Sequence, residues 1–188
     1  MGQGRASADV GFPTVLTAAR AGQPWALERL YTQFAPALAG FFRLQRSPDP
    51  DDLTSEVFLG VLRNLAGFQG DEAQFRSWLF TIAYRRLADA RRAARRQPEF
   101  EPLDGHELSD SVDVEADVDR LMATIRVRSL CDSLPPSQRD VLLLRMVGRL
   151  TVDEVAEVIG RSRSSVKALQ RRGIAAVAKH AAREDAPL

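Results

Sequence analysis

The stretch Thr151–His180 reads TVDEVAEVIGRSRSSVKALQRRGIAAVAKH. Thr151 and Glu154 have the spacing of a capping box, in which each side chain satisfies the other residue's backbone N–H. The short helix they open carries Val152, Val155, Ala156 and Ile159 on one face, the helical period. Gly160 stands where a left-handed residue ends a helix, and Ser162 is placed to cap the next one. Helix, three-residue turn containing glycine, helix is the helix-turn-helix pattern. On the second helix Val166, Leu169, Gly173 and Val177 face inward, so Leu169 is expected in the core. Arg163, Ser164, Lys167 and Arg171 project from another side, where a recognition helix presents side chains to base edges in the major groove. A three-helix bundle with a charged surface is the competing reading.

Working outward, nearly every signal is helical and strand alternation is absent. Phe12–Arg20 reads as a short helix broken near Gly22 and Pro24, and Trp25–Leu44 carries Leu27, Leu30, Tyr31, Phe34, Leu38, Phe41 and Phe42 at helical spacing. Asp49 and Pro50 are placed to start the next helix, DDLTSEVFLGVLRNLAGF, which stops at Gly67. Asp71 and Gln74 are spaced as a second capping box. Downstream, Glu115–Leu134 reads as a helix ended by Pro135-Pro136, with three shorter helices after it.

The helix opened by Asp71 contains YRRLADARRAARR, Tyr84–Arg96. At 100° per residue Phe75, Trp78, Leu79, Ile82, Ala83, Leu87 and Ala90 form an apolar side, with Arg86 alone among them. Arg85, Arg91, Arg92, Arg95 and Arg96 gather opposite, together with Tyr84. Solvated helix faces interleave acids with arginines at i,i+4, and here Asp89 is the one acid. Clustered guanidiniums point to an anionic partner, most simply phosphate. Tyr84, Phe80 and Trp78 are candidates for stacking on single-stranded bases, although the position of Trp78 suits the core better.

Charge is distributed in blocks. Residues 1–97 hold 13 basic and 9 acidic side chains, residues 98–119 hold 9 acids and neither Lys nor Arg, and residues 120–188 hold 13 basic and 7 acidic. Two basic domains joined by a flexible acidic linker follow from that pattern. One cysteine, Cys131, excludes an internal disulfide and a CxxC metal site. His106 and His180 stand alone without ligand spacing, so no metal, cofactor or catalytic centre is expected. Neither a secretion signal nor a membrane span is legible, and the cytoplasm is the expected compartment.

Together these residues resemble the extracytoplasmic-function (ECF) sigma factors of bacterial RNA polymerase. DDLTSEVFLGVLRNLAGFQGDEAQFRSWLFTIAYRRLADARRAARR is similar to the family's second region, and LPPSQRDVLLLRMVGRLTVDEVAEVIGRSRSSVKALQRR to its fourth. The resemblance implies an all-α protein of two small helical domains, residues 1–97 and 120–188, around a linker at 98–119. It implies docking on core RNA polymerase through Asp52, Ser55 and Glu56, with Ser55 standing where the family has Gln. The loop Phe68–Gln74 resembles the segment that captures a flipped base of the minus-ten element. Tyr84 and Arg85 lie where the upstream edge of that element is read, Arg85 replacing an Asn. Lys167 and Arg172 match the family's minus-thirty-five contacts, whereas Ala168 and Leu169 depart from its Ser-Arg. Promoter DNA, duplex and melted, and an anti-sigma factor are the further partners implied. A DNA-binding regulator that does not dock on polymerase, and a module gripping an acidic protein, are the alternatives from other classes.

Overall fold

The computed structural model describes residues 10–96 and 124–184. The acidic segment 98–119, with His106, lies outside the described residues, as does the beginning of the helix expected from Glu115. Helices α1 (Phe12–Arg20), α2 (Pro24–Leu44), α3 (Pro50–Asn64) and α4 (Glu72–Ala94) form a first block. A helix whose described part is 124–132 (α5), α6 (Pro136–Met146), α7 (Val152–Ile159) and α8 (Arg163–Glu184) form a second. No strand occurs among the described residues.

The helix ends follow local chemistry. Asp49 accepts the Asp52 N–H at 2.9 Å with Pro50 in the first turn of α3. The Asp71 carboxylate accepts from the Gln74 N–H at 2.8 Å, and Gln74 Oε1 from the Asp71 N–H at 2.9 Å. Thr151 and Glu154 make the same reciprocal pair at the start of α7. Gly160 ends α7 at φ 64°, and the Ser165 N–H reaches Ser162 Oγ at 3.3 Å to start α8. Each such cap contributes about 1 kcal/mol. The last helix runs to Glu184, so it is not one of three shorter helices but matches α2 and α4 in length. The polar side of its N-terminal half is exposed, and the packing of Val166, Leu169 and Gly173 beneath sustains the length.

The first core is aromatic: Phe34, Phe41, Phe42, Phe75 and Phe80 are fully buried. Phe34 lies 5.1 Å from Phe75, and Phe41 meets Phe80 edge-on at 5.5 Å, geometries that favour aromatic quadrupoles. The second core is aliphatic, built from Val141, Leu144, Leu150, Val155, Val166 and Leu169. Gly173 lets α8 close on α6, because a Cβ there would lie 2.9 Å from a methyl of Leu142.

The two blocks are two helical domains, and their buried apolar residues meet in one continuous cluster. α6 lies on α2, and α7 on α4. Phe80 is therefore core and offers no stacking surface. Gly148 faces it, and a Cβ there would sit 2.6 Å from the Leu144 carbonyl and 3.3 Å from the Phe80 ring. The run Val141–Leu144 is buried on every side because neighbours from both blocks surround it.

The rotation of α8 gives a sharp test. Leu169 is buried, whereas Lys167 is exposed. Leu169→Arg should lower urea-unfolding stability by about 3 kcal/mol or more, through poorer packing and an unpaired buried charge. Lys167→Ala should stay within about 0.5 kcal/mol of the parent. A Leu169→Arg chain as stable as the parent would mean that the helix is rotated otherwise.

Candidate nucleic-acid interface

Two polar helix faces and the contact between them make up the candidate site. On α4 Arg85 and Arg92 are exposed, as are Arg95 and Arg96 just after its end, with Arg92 paired to Asp89 one turn away. Arg86, the arginine among the apolar residues, escapes burial by turning to Glu56 on α3, 3.5 Å away. Glu56 is thus held by an ion pair, while Asp52 is exposed and Ser55 Oγ donates to the Asp51 carbonyl at 2.9 Å. Leu59 and Leu62, 53% and 43% exposed, continue the face of α3 that begins at Asp52. Sequence reasoning misses both, because a leucine at helical spacing reads as core.

The loop before α4 is pre-shaped. Phe68 stacks on Trp78 with ring centres 4.9 Å apart and planes 15° from parallel. Trp78 is half-buried, so it supports the loop from below. Gly70 lies under the Gln74 amide, where a Cβ would approach Oε1 to 2.7 Å. The capping box that starts α4 therefore also fixes the path of the loop.

On α8, Arg163, Ser164, Lys167 and Arg171 share the exposed side, as the periodicity predicts. Arg163 pairs with Asp153 of α7, and Ser164 Oγ lies 3.0 Å from Ser162 Oγ. Arg172 is exposed on a neighbouring edge, its Nε donating to the Ala168 carbonyl at 3.3 Å.

Tyr84 and Arg91 are where the structure departs from the helical wheel. The wheel puts both on the exposed side of α4; both are instead partly covered by the second block, converging on Asp140 of α6. Arg91 Nη1 donates to the two Asp140 carboxylate oxygens at 3.2 and 3.3 Å, and Nη2 to Oδ1 at 3.2 Å. The Tyr84 hydroxyl donates to Oδ2 at 3.1 Å. Gln45, at the end of α2, donates from Nε2 to Oδ1 at 2.9 Å and accepts from Arg91 Nη2 at 2.7 Å. Asp140 is 6% exposed, so its charge is matched by that guanidinium and not by water. A second contact lies beside it: Arg46 Nη2 donates to Asp132 Oδ2 at 2.7 Å. The signal for this contact is the unbroken VLLL run after Asp140, too apolar for a helix with a solvent side.

Other candidates are quieter. Cys131 is half-buried and burial pushes its thiol up, away from the reactive thiolate. No cluster of His, Cys, Asp and Glu able to hold a metal occurs among the described residues. Nor is any described helix long and apolar enough to cross a membrane.

Residues 30–97 match Sigma-70 region 2, and residues 124–177 match Sigma-70 region 4. The chain is 30% identical to the ECF RNA polymerase sigma factor ShbA of Streptomyces griseus over 70% of its own length and 74% of that protein. The chain belongs to the ECF RNA polymerase sigma factors. Sigma factors are transcription proteins that bind core RNA polymerase and DNA, and the family is not one of enzymes. The sigma factor is also 31% identical to BldN of Streptomyces coelicolor, over 86% of its own length and 62% of that relative's. Its fold matches CnrH, solved in complex with the cytosolic domain of CnrY, with a TM-score of 0.62 at 25% identity over 92% of this chain and 97% of that one.

The phenol of Tyr84 reports the packed state of this sigma factor. Its pKa is pushed from 10.0 up to about 12, first by burial and then by the Asp140 carboxylate, with Arg91 and Arg161 acting oppositely. The packed state therefore holds this proton more tightly than the unpacked one. That stabilisation is complete below pH 10 and is lost as the pH climbs through about 12. A phenolate absorbance step near 12 should vanish in Tyr84→Phe and move down in Asp140→Asn.

Proposed function

We propose that this sigma factor directs promoter-specific initiation by reading a minus-ten element with its first domain and a minus-thirty-five element with its second. The domains assigned are residues 1–97 and 120–188, with 98–119 as the acidic linker between them. The observation that carries the reading is the pair of exposed cationic faces: Arg85, Arg92, Arg95 and Arg96 on α4 and just after its end, and Arg163, Lys167 and Arg171 on α8, with Leu169 turned into the core beneath.

Within that reading α4 supplies the phosphate contacts. Arg91, Arg92, Arg95 and Arg96 grip the backbone near the minus-ten element, and Arg85 with Tyr84 reads its upstream edge. The pre-shaped Phe68–Gln74 loop receives the flipped base, whose extraction costs a few kcal/mol. On α8, Arg163, Ser164, Lys167 and Arg171 enter the major groove, and Arg172 takes a neighbouring phosphate. Polymerase docks on α3 through Asp52, Ser55 and Glu56. The exposed leucines Leu59 and Leu62 on that face supply apolar area that acids alone lack. An anti-sigma factor is a further partner, a role supported by the structural match to CnrH in complex with the cytosolic domain of CnrY. The protein acts in the cytoplasm, without a cofactor.

Replacing Arg92, Arg95 and Arg96 by Gln should weaken promoter binding broadly and make the log–log salt slope shallower by about 0.9 for each phosphate that is no longer neutralised. Arg85→Ala should change which minus-ten sequences are opened, because phosphate contacts position and base contacts specify. An equal loss on every minus-ten variant would remove that role.

Asp52→Arg with Glu56→Arg should abolish co-purification with core polymerase while the helical circular dichroism signal persists. Lys167→Ala and Arg171→Ala should each cost about 1–3 kcal/mol of minus-thirty-five affinity if the contact is to a base. Holoenzyme footprints decide it, since full protection by both alanine variants would remove α8 from the groove. Duplex binding without any polymerase association would instead identify a DNA-binding regulator.

A further inference from the structure

We propose that Arg91, Tyr84 and Gln45 form an anion site that Asp140 fills while the two domains are packed and that a DNA backbone phosphate fills once they part. Asp140 is then an internal competitor of promoter DNA. The inference rests on the reading of α4 as a DNA-binding helix, and its test separates the two.

The donors are those a phosphate oxygen takes. A guanidinium, a phenol and a primary amide converge on two carboxylate oxygens at 2.9–3.3 Å. Charge-assisted bonds of this kind serve carboxylate and phosphate alike. Gln45 is buried and accepts from Arg91 while donating to Asp140, so the site is braced from α2 and does not consist of α4 alone. The side-chain hydrogen bonds described for Asp140 all come from the first domain. A carboxylate buried to this extent is stable only with its partner present, so its burial is a property of the packed arrangement. Exchange with phosphate leaves Arg91 facing one anion before and another after. No unpaired buried charge need arise in either state.

The packed arrangement has a second anchor that is conformationally costly. Arg46 follows α2 at φ 57°, the left-handed region where glycine is favoured. Its side chain crosses to Asp132 of the second domain, Nη2 to Oδ2 at 2.7 Å, and is 60% exposed. An arginine kept in a glycine conformation is explained by what its side chain reaches. Because the arginine of this pair faces solvent, salt and competing polyanions weaken it. The contact therefore holds the domains together in the free protein and yields to a longer run of phosphates.

The test uses the full chain and a short fluorescent DNA duplex, with binding followed by anisotropy over a range of salt. Asp140→Asn keeps the shape and removes the charge. It should bind the duplex roughly tenfold tighter, the scale of one charge-assisted hydrogen bond. Its log–log salt slope should steepen by about one, as one more phosphate contact forms. Adding Arg91→Gln should cancel both changes; a gain that survives this addition means that Asp140 merely repels DNA at a distance, and the anion site is wrong. Arg46→Gly relieves the left-handed residue and removes the second anchor, so it should fold at least as well and also bind tighter. It carries the comparison alone should Asp140→Asn fail to fold. Unchanged binding in both variants, with weaker binding in the Arg92, Arg95 and Arg96 glutamine variant, overturns the competition and leaves α4 a DNA-binding helix. Unchanged binding in that glutamine variant removes the DNA reading and the competition with it.

Discussion

A single buried carboxylate governs how the two halves of this protein relate. Asp140 sits on the face of α6 that packs against the first domain, and a charge removed from water must find a fixed partner. Arg91 is that partner, with Tyr84 and Gln45 completing the shell. The contact forms where α6 lies across the end of α2, beside the packing of α7 on α4. The same packing encloses Phe80 and covers part of the arginine face of α4. The apolar run Val141–Leu144 beside it is buried between the two domains.

The domains themselves rest on more local physics. Capping pairs at Asp49, Asp71 and Thr151, and the left-handed Gly160, start and stop helices where the apolar stripes require. Large aromatic rings fill the first core, while smaller aliphatic chains suit the shorter helices of the second. Gly148 and Gly173 stand where a side chain would meet a carbonyl oxygen or a leucine methyl. The gap at Gly173 is what lets α8 lie close to α6, with its cationic side outward.

Function in a sigma factor needs both strong, sequence-blind grip and weaker, sequence-reading contact. The two exposed helix faces differ in composition. α4 gathers arginines along an exposed edge, and α8 mixes Arg, Lys and Ser on one face. The exposed leucines of α3 supply a further face of different chemistry, suited to protein and not to nucleic acid. An intramolecular acid on the margin of the α4 face gives the protein a means of adjusting its affinity for polyanions without changing its helices.

Much of this is legible in the sequence, for reasons of range. Helix periodicity and capping depend on residues within four positions, so the helix-turn-helix, the capping boxes and the inward direction of Leu169 can be read directly. The family match rests on the same local blocks in order. Arg91 and Tyr84 mislead because a helical wheel distinguishes apolar from polar sides but does not say what covers the polar one. Phe80 misleads for the converse reason, since an aromatic residue beside arginines looks available until another domain lies on it. Gln45 and Asp140, and Arg46 and Asp132, are 95 and 86 residues apart, and nothing local marks one as partner of the other. Which helices form and which of their sides are apolar follow from the order of the residues, because both are short-range consequences of side-chain spacing. Which charges meet is settled only in three dimensions, because a buried ion pair is selected by the packing of distant segments.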